Sequence, residues 1–379
     1  MPTITGYQGE TVMFDDDYDE YDDFVKLDGQ DTQLDMLDRR RFLMGSIAAL
    51  GTGIMAGMPL SQAFAASFPS RAMSIFVPTR EGGGADRNLR LVTGVWKKYL
   101  NTKFDRRFYP GASGRVGYET YMGKAGSSGH ELIFGNMGPE VLNWVVKKPT
   151  FPISNYFYFG RVDEDAAVVF VGKRSKYKTI DDIIAAGKSR ILNVGTSRIA
   201  HPATIGAMAL ASHTGAQFNP IPLSGGKNTR AGVATGEMDF GVLPSGGIAR
   251  KGKNFRTLLV FDSKNRLGSR LNNAPTANDH FGMKLPPMYS ARAFGIKTEV
   301  QKKHPERVAL LQSTLDKVFA DPDFRKAVKK AKLPWELISP GNAAQCAKYV
   351  KDITEIGTKY RDLMRGASAK AKKNKKKKK

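Results

Sequence analysis

The stretch VPTREGGGADRNLRLV, residues 77–92, decides the fold of this chain. A strand-like run at 73–77 enters three consecutive glycines, and a helical pattern with Asp86 placed to cap its start follows at once. Glycine lets the backbone come close to a ligand, and a helix N-terminus presents unpaired N–H groups. We therefore expect Gly82, Gly83 and Gly84 to face a carboxylate or a phosphate, with a plain tight turn as the alternative.

Two later stretches repeat this arrangement. ILNVGTSRIAHPATIGAMAL, residues 191–210, runs from a strand through Gly195, Thr196 and Ser197 into a helix that should begin around Pro202. IPLSGGKNTRAGVATGEMDFGVLPSGG, residues 221–247, places Ser224, Gly225 and Gly226 after a short strand. Loops of this kind on two α/β units can close around one small anion.

Strands and helices alternate along the body of the chain, which indicates an α/β fold with a largely parallel sheet. Thr179 and Asp182 have the spacing of a capping box, and Asp321, Pro322 and Asp323 predict that one helix stops and another restarts. The strand-like runs are Met73 to Val77, Leu132 to Phe134, Ala167 to Val171, Ile191 to Val194, Met238 to Val242 and Leu258 to Phe261. Helical apolar stripes are expected at Leu89, Val92, Trp96 and Tyr99, and at Val308, Leu311, Leu315 and Val318.

Several other kinds of site are disfavoured. The dinucleotide fingerprint fails because Arg87 stands where its third glycine belongs, and the Walker pattern fails around Gly226. The single cysteine, Cys346, excludes an intramolecular disulfide, and the five histidines show no paired metal-binding spacing. We therefore expect neither a cofactor nor a metal.

The first 65 residues have the features of an export signal. Residues 1–38 hold twelve acidic residues and one lysine, a composition typical of disorder. In 39–65, Arg39 and Arg40 precede Phe42 and an uncharged, glycine-diluted run, which fits a twin-arginine signal peptide cleaved before Ala66. An uncleaved membrane anchor is the alternative, and both place the body in the periplasm or another extracytoplasmic space. The lysine-rich tail, 367–379, is expected to be disordered.

The formal net charge of the chain is +23. Residues 1–65 hold eight more acids than bases and the last ten residues hold eight lysines, so the body between them also carries +23. A field of that sign attracts anionic ligands. Aromatic residues are not interleaved with the basic runs as stacking platforms would require, so we expect no nucleic-acid partner.

Six segments in order resemble the substrate-binding proteins of tripartite tricarboxylate transporters, the Bug family of extracytoplasmic solute receptors. The resemblance covers about residues 71–360 and includes FYPGASGRVGYETYMGKAGSSGHELIFGN, residues 108–136, and APTANDHFG, residues 274–282. It implies a two-lobed periplasmic-binding-protein fold (type II-like) with a carboxylate in the cleft. Lobe 1 would comprise 66–168 and 288–366 and lobe 2 would comprise 169–287, with crossings near Val168 and Ser290.

The resemblance also implies functional partners and site residues. The partners would be a small carboxylate and membrane transporter subunits. The segment with Arg39 and Arg40 adds the twin-arginine translocase as a partner during export, and we expect the protein to be a monomer. Departures from the family pattern stand at Ala85, Thr204, Leu223 and Ser224, which puts the ligand identity in doubt. The expected ligand-binding residues are Gly82, Gly83, Gly84, Ala85, Asp86, Asn136, Gly195, Thr196, Ser197, His201, Ser224, Gly225 and Asp239.

Two other classes of function stay open at this point. An enzyme would need a positioned base or nucleophile, and the lone candidate is His201 beside the second loop. No Gly-x-Ser-x-Gly elbow occurs in the sequence. A ligand sensor that reports to a membrane kinase would share the fold, and only the genes beside its own would distinguish it from a transport protein.

Overall fold

The computed structural model describes residues 68–147 and 150–366. The acidic extension, the twin-arginine segment and the lysine-rich tail therefore lie outside the described residues. Within them, ten strands form one sheet in the order β2-β1-β3-β9-β4-β7-β5-β6, while β8 and β10 each pair with β4. The strands are β1 Met73–Val77, β2 Phe104–Phe108, β3 Glu131–Asn136, β4 Tyr156–Gly172, β5 Leu192–Thr196, β6 Phe218–Pro222, β7 Phe240–Pro244, β8 Phe255–Phe261, β9 Tyr289–Lys297 and β10 Ile338–Asn342.

Helices follow most of these strands. The α-helices of the described residues are α1 Gly84–Leu100, α2 Arg115–Lys124, α3 Met137–Val146, α4 Ile180–Ser189, α5 Pro202–Thr214, α6 Gly226–Ala234, α7 Ser245–Arg250, α8 Ala277–Phe281, α9 Thr298–Lys303, α10 Pro305–Ala320, α11 Pro322–Lys330 and α12 Ala343–Lys359. No helix of the described part is both long enough and apolar enough to cross a bilayer.

The sheet is shared between two lobes. Strands β1, β2 and β3 pair in parallel in one lobe, and β5, β6 and β7 pair in parallel in the other. The long strand β4 joins them, because 156–166 pairs with β9 and the part from Ala167 onward pairs with β7 and β8. Strands β4 and β9 run antiparallel to their neighbours, so the largely parallel sheet predicted from the sequence is in fact mixed.

The predicted helical stripes form much of the core. Leu89, Val92 and Trp96 of α1 are fully buried, and Tyr99 donates a 2.6 Å hydrogen bond to Asp321. The apolar face of α10 is also buried. Helix α10 ends where the sequence predicted, because Asp321 caps the start of α11. The capping box of Thr179 and Asp182 at the start of α4 is confirmed.

The apolar pattern did not identify parts of the central strands, because these strands contain buried charged residues. The first part of β4 reads YFYFGRVDED, and its Arg161 and Asp163 are 7% and 3% exposed. Strand β9 carries Arg292, which is 8% exposed and bonded to Asp163. A period-two apolar pattern cannot identify a strand whose inward positions hold ion pairs. The predicted lobe boundaries stay predictions.

Candidate functional site

Five loops leave the carboxyl ends of the parallel strands and converge between the lobes. In one lobe they follow β1 and β3, and in the other they follow β5, β6 and β7. Ligands of open α/β sheets bind outside these strand ends. The contacts between the loops show how each is positioned.

The first loop is held by Asp86. Gly82, with φ 73°, donates its N–H to Asp86 Oδ2 at 2.9 Å, and Arg90 Nε donates to Asp86 Oδ1 at 2.9 Å. Asp86 is not the cap that the sequence predicted, because the N-cap of α1 is Gly83, which has no side chain to cap with. The carboxylate acts from the first turn and fixes the loop, leaving the N-terminal amides of α1 without a side-chain cap.

Glycine at position 84 admits a charged neighbour. A Cβ on Gly84 would lie 3.3 Å from Arg292 Nη2, so the guanidinium rests against the first turn of α1. Ala85 is 6% exposed and belongs to the hydrophobic core beneath α1. Its side chain therefore faces the core, and Ala85 stays a candidate only through its backbone, alongside Gly82, Gly83 and Gly84.

The second and third loops support each other. Gly225 donates its N–H to the carbonyl of Ser197 at 3.2 Å, and Leu223 donates to the carbonyl of Thr196 at 2.8 Å. The fully buried Thr196 hydroxyl lies 2.6 Å from the Thr204 hydroxyl. Since this pair satisfies the hydroxyl internally, the Thr196 side chain shapes the loop, and Thr196 stays a candidate only through its backbone.

Other residues of these loops differ in position. A Cβ on Gly195 would lie 3.0 Å from Met238 Cγ, so this glycine faces the packing beneath the sheet rather than the cleft. Ser224 is exposed with φ 59°, Ser197 is half-buried, and Gly225 is the N-cap of α6. Ser197, Ser224 and Gly225 stay candidates for the ligand site.

His201 has a structural role in place of the predicted ligand contact. Its Nδ1 accepts a 3.0 Å hydrogen bond from the Ala203 N–H as the cap of α5, and its Nε2 lies 3.1 Å from Ser290 Oγ. Burial, followed by the charges of Arg198 and Arg292, lowers the pKa of His201 to about 3. The ring is neutral, and because Nδ1 accepts, the proton sits on Nε2. Both ring nitrogens are occupied, which excludes the one catalytic base that the sequence offered.

An arginine ties the second loop to the opposite lobe. Arg198 Nη1 donates to the carbonyl of Ser113 at 2.9 Å, and Asn143 Nδ2 donates to the same carbonyl at 2.8 Å. Ser113 has φ 59°, a left-handed conformation, and burial lowers the pKa of Arg198. Sequence reasoning missed this contact because nothing in a local pattern pairs residues so far apart.

Asn136 begins α3 at the carboxyl end of β3. Its N–H donates to Glu140 Oε1 at 2.5 Å, while its Oδ1 is inaccessible and accepts no hydrogen bond from the described residues. Burial raises the pKa of Glu140 to about 8. Asn136 stays a candidate with a side-chain oxygen that has no donor in this state.

Asp239 lies at the wrong end of the sheet for the role carried over from the family. It precedes β7, and its carboxylate accepts from the Asn193 N–H at 2.8 Å and pairs with Arg190 at 2.5 Å. Asn193 is near the start of β5, whereas the cleft loops follow the ends of the strands. Asp239 fastens the amino ends of two strands and does not face the cleft.

Three arginines that the sequence interpretation passed over lie on helices that follow the cleft loops. Arg87 follows the glycine loop by one helical turn, and Arg230 and Arg250 lie on α6 and α7 of the other lobe. Burial, followed by the charges of Arg250 and Arg87, lowers the pKa of Arg230. The sequence showed that the body is strongly basic, with a charge of +23. It did not show which of the basic residues lie together in the fold.

Comparison with known proteins agrees on the fold. No protein-family model matches the sequence, and no curated protein is significantly similar to it. An adipate-bound protein of Rhodopseudomonas palustris superposes with a TM-score of 0.66 at 18% identity, covering 79% of this chain and 98% of its own. The malate-bound protein MatC from the same organism gives 0.62 at 18%, covering 78% and 100%.

A third solved structure extends the comparison. The TctC solute-binding protein from Polaromonas, solved without ligand, has a TM-score of 0.59 at 19% identity, covering 76% of this chain and 98% of its own. At such identities the likeness shows the fold alone. The two-lobed periplasmic-binding-protein fold that the sequence resemblance implied is confirmed.

Proposed function

We propose that the protein is an extracytoplasmic solute-binding protein that captures a small carboxylate between its lobes for a secondary transporter of the tripartite tricarboxylate type. The observation that carries this proposal is the start of α1. Gly83 and Gly84 present backbone without side chains there, Asp86 fixes the loop from behind, and no side chain caps the helix. Helix starts of this form bind carboxylates through N–H groups and the positive end of the helix dipole.

Two further observations favour an organic anion. The body carries a strong positive charge, which raises the encounter rate with anions. Structural neighbours were solved with malate and with adipate. On these grounds we propose that this chain binds a carboxylate. The proposal also includes export through the twin-arginine pathway, a monomeric state and delivery of the ligand to membrane transporter subunits.

Binding without catalysis is the better account of the cleft. Catalysis needs a base with a free atom directed at the substrate. The only base candidate from the sequence, His201, uses both nitrogens within the protein. The sensor alternative shares the same cleft, and a strain lacking the gene separates the two: loss of ligand uptake supports transport, and loss of a transcriptional response alone supports sensing.

A ligand screen with matched glycine variants tests the proposal. A carboxylate at about a hundred times its dissociation constant should add about 2.7 kcal/mol to the free energy of unfolding. A Cβ on Gly83 would lie 3.3 Å from the Arg80 carbonyl, so Gly83→Val must move the loop. We expect it to weaken binding tenfold or more, about the loss of one charge-assisted hydrogen bond.

Gly94→Val is the matched control. Gly94 is an exposed residue of the same helix, and a Cβ there meets nothing within 4 Å. This variant should bind like the wild-type protein in calorimetry. Equal affinity of the Gly83→Val protein for a confirmed ligand would refute the site, and chemical change of that ligand on incubation would favour an enzyme.

A further inference from the structure

Exposed cations are concentrated at one end of the lobe that holds β5, β6 and β7. The turn after β4 reads KRSKYK, residues 173–178, and its four basic side chains are exposed: Lys173, Arg174, Lys176 and Lys178. The Lys173 N–H donates to the Asn254 carbonyl at 2.9 Å, which places the exposed Lys253 beside this turn. Arg256 of β8 donates to the Tyr177 carbonyl at 3.4 Å. These six cations form the basic edge of the lobe.

Two acids that border the basic edge are already bound. Asp182 accepts from the N–H groups of Lys178 and Thr179 at 2.7 and 2.9 Å. Asp239 pairs with Arg190 at the start of β5. Three side chains of the edge make no hydrogen bond or ion pair within the described residues, namely those of Lys173, Arg174 and Lys253. The edge therefore keeps a net positive charge.

An exposed apolar side chain lies at the same end of the lobe. Ile191 is 59% exposed, more than any other large apolar side chain of the described residues. It follows Arg190, whose guanidinium donates to the Tyr177 hydroxyl at 3.0 Å, so Ile191 is tied to the turn that carries the cations. Cations beside an exposed apolar group are the combination that adsorbs to anionic bilayers, because the apolar group enters the interface while the cations attract the headgroups.

The basic edge lies at the opposite end of the strands from the cleft loops. Strand β4 runs antiparallel to β7, so the turn that follows β4 lies beside the amino end of β7. The cleft loops follow the carboxyl ends of β5, β6 and β7, which are parallel to one another. A five-residue strand such as β7 spans about 17 Å. A surface that contacts the basic edge therefore leaves the cleft loops free.

We infer that the basic edge, together with Ile191, is a docking surface for a membrane that contains anionic phospholipid. This surface is separate from the carboxylate site, and the inference does not rest on the proposed function. Each cation near an anionic bilayer adds to adsorption, and salt screens the attraction. Tyr177 is 5% exposed, so the edge offers no aromatic face on which nucleic-acid bases could stack.

Co-sedimentation of the protein with lipid vesicles tests the charges of this surface. Vesicles of equal parts phosphatidylglycerol and phosphatidylcholine should bind the wild-type protein far better than pure phosphatidylcholine vesicles. Replacing the four exposed cations of the turn 173–178 together by glutamine should weaken binding at least about tenfold. The charge-matched control replaces four scattered exposed lysines by glutamine: Lys124, Lys264, Lys284 and Lys317. It keeps the lysine-rich tail and should lose much less binding.

A serine substitution tests the apolar contact. Ile191→Ser should weaken binding to the anionic vesicles about threefold or more, because it removes the group that enters the interface. Val116→Ser is the matched control, since Val116 is an exposed apolar residue of α2 in the other lobe. It should bind like the wild-type protein. All these variants should keep the wild-type melting temperature, because only exposed side chains change.

Three results would overturn the docking surface. They are unchanged vesicle binding in the quadruple variant of the turn, an equal loss in the charge-matched control, and unchanged binding in Ile191→Ser. A quadruple variant that binds vesicles normally but no longer supports ligand uptake in cells would assign the edge to an acidic protein partner instead. Carboxylate affinity, measured by calorimetry, should be the same in all variants. Failure of every carboxylate to bind would refute the proposed function and leave the vesicle result standing.

Discussion

At the scale of single residues, His201 links the two lobes through its ring. Nδ1 caps α5 while Nε2 donates to Ser290 on β9, one of the strands shared between lobes. Only the neutral imidazole makes both contacts, since protonation of Nδ1 removes the acceptor. Two charged arginines, Arg198 and Arg292, further disfavour the imidazolium.

The stability of the protein should therefore depend on pH through His201. Its pKa is about 3 in the folded protein against an ordinary 6.5, so between these values the unfolded chain binds more protons. The stabilisation is complete above pH 6.5 and declines as pH falls towards 3. At pH 5 the loss is about 2 kcal/mol. His201→Asn, which keeps a good helix cap, should remove this contribution.

Denaturant titrations of both proteins from pH 4 to pH 8 provide the measurement. The buried carboxyls of Glu140 and Asp163 titrate in both proteins, so the difference between wild type and variant isolates His201. We expect the difference to favour the wild type most at pH 8 and to shrink or reverse at pH 5. A difference independent of pH would show that His201 titrates as it does in the unfolded chain.

At the scale of elements, two helix starts use an acid in the first turn for different purposes. Asp182 of α4 completes an exposed capping box with Thr179. Asp86 of α1 is buried and instead reaches back four residues to the Gly82 N–H. The first arrangement stabilises a helix, and the second sets the position of a loop.

Alanine variants at these two positions should separate stability from binding. Thr179→Ala should lower the free energy of unfolding by about 1 kcal/mol and leave ligand affinity unchanged. Asp86→Ala leaves the Gly82 N–H and Arg90 without their partner, which should lower stability by about 1–3 kcal/mol and also weaken carboxylate binding. Unchanged affinity in Asp86→Ala, measured by calorimetry on the folded variant, would show that the loop holds its position without this carboxylate.

Elements with a regular apolar pattern were predictable from the sequence, and those with buried charges were not. Strand β1, the stripe of α1 and the capping box of α4 follow directly from residue spacing. Strand β9 stayed hidden because Arg292 interrupts its pattern with an ion pair to β4. The same holds for the candidate site. The glycine loop could be predicted from a local sequence pattern, whereas the arginines come together only through the tertiary fold.

At the scale of the whole molecule, a chain of polar contacts crosses from lobe to lobe. Asn88 of α1 donates to Asp163 at 2.6 Å, Asp163 pairs with Arg292, and Arg292 pairs with Asp165 at 3.4 Å. Asp165 then bonds Ser245 at the start of α7 in the other lobe. These contacts are buried and join α1, the shared strands β4 and β9, and the start of α7 in one continuous network.

We expect delivery of this molecule to an extracytoplasmic space to depend on Arg39 and Arg40. Arg39 and Arg40 precede a weakly hydrophobic, glycine-diluted run, and the twin-arginine pathway recognises its substrates by this pair. Replacing both by lysine keeps the charge but removes the recognised pair, so the precursor should accumulate in the cytoplasm. The matched control is Arg41→Lys, which leaves the pair intact and should not alter export. Cell fractionation with immunoblotting measures both variants, and normal processing of the double variant would show that another route exports the protein.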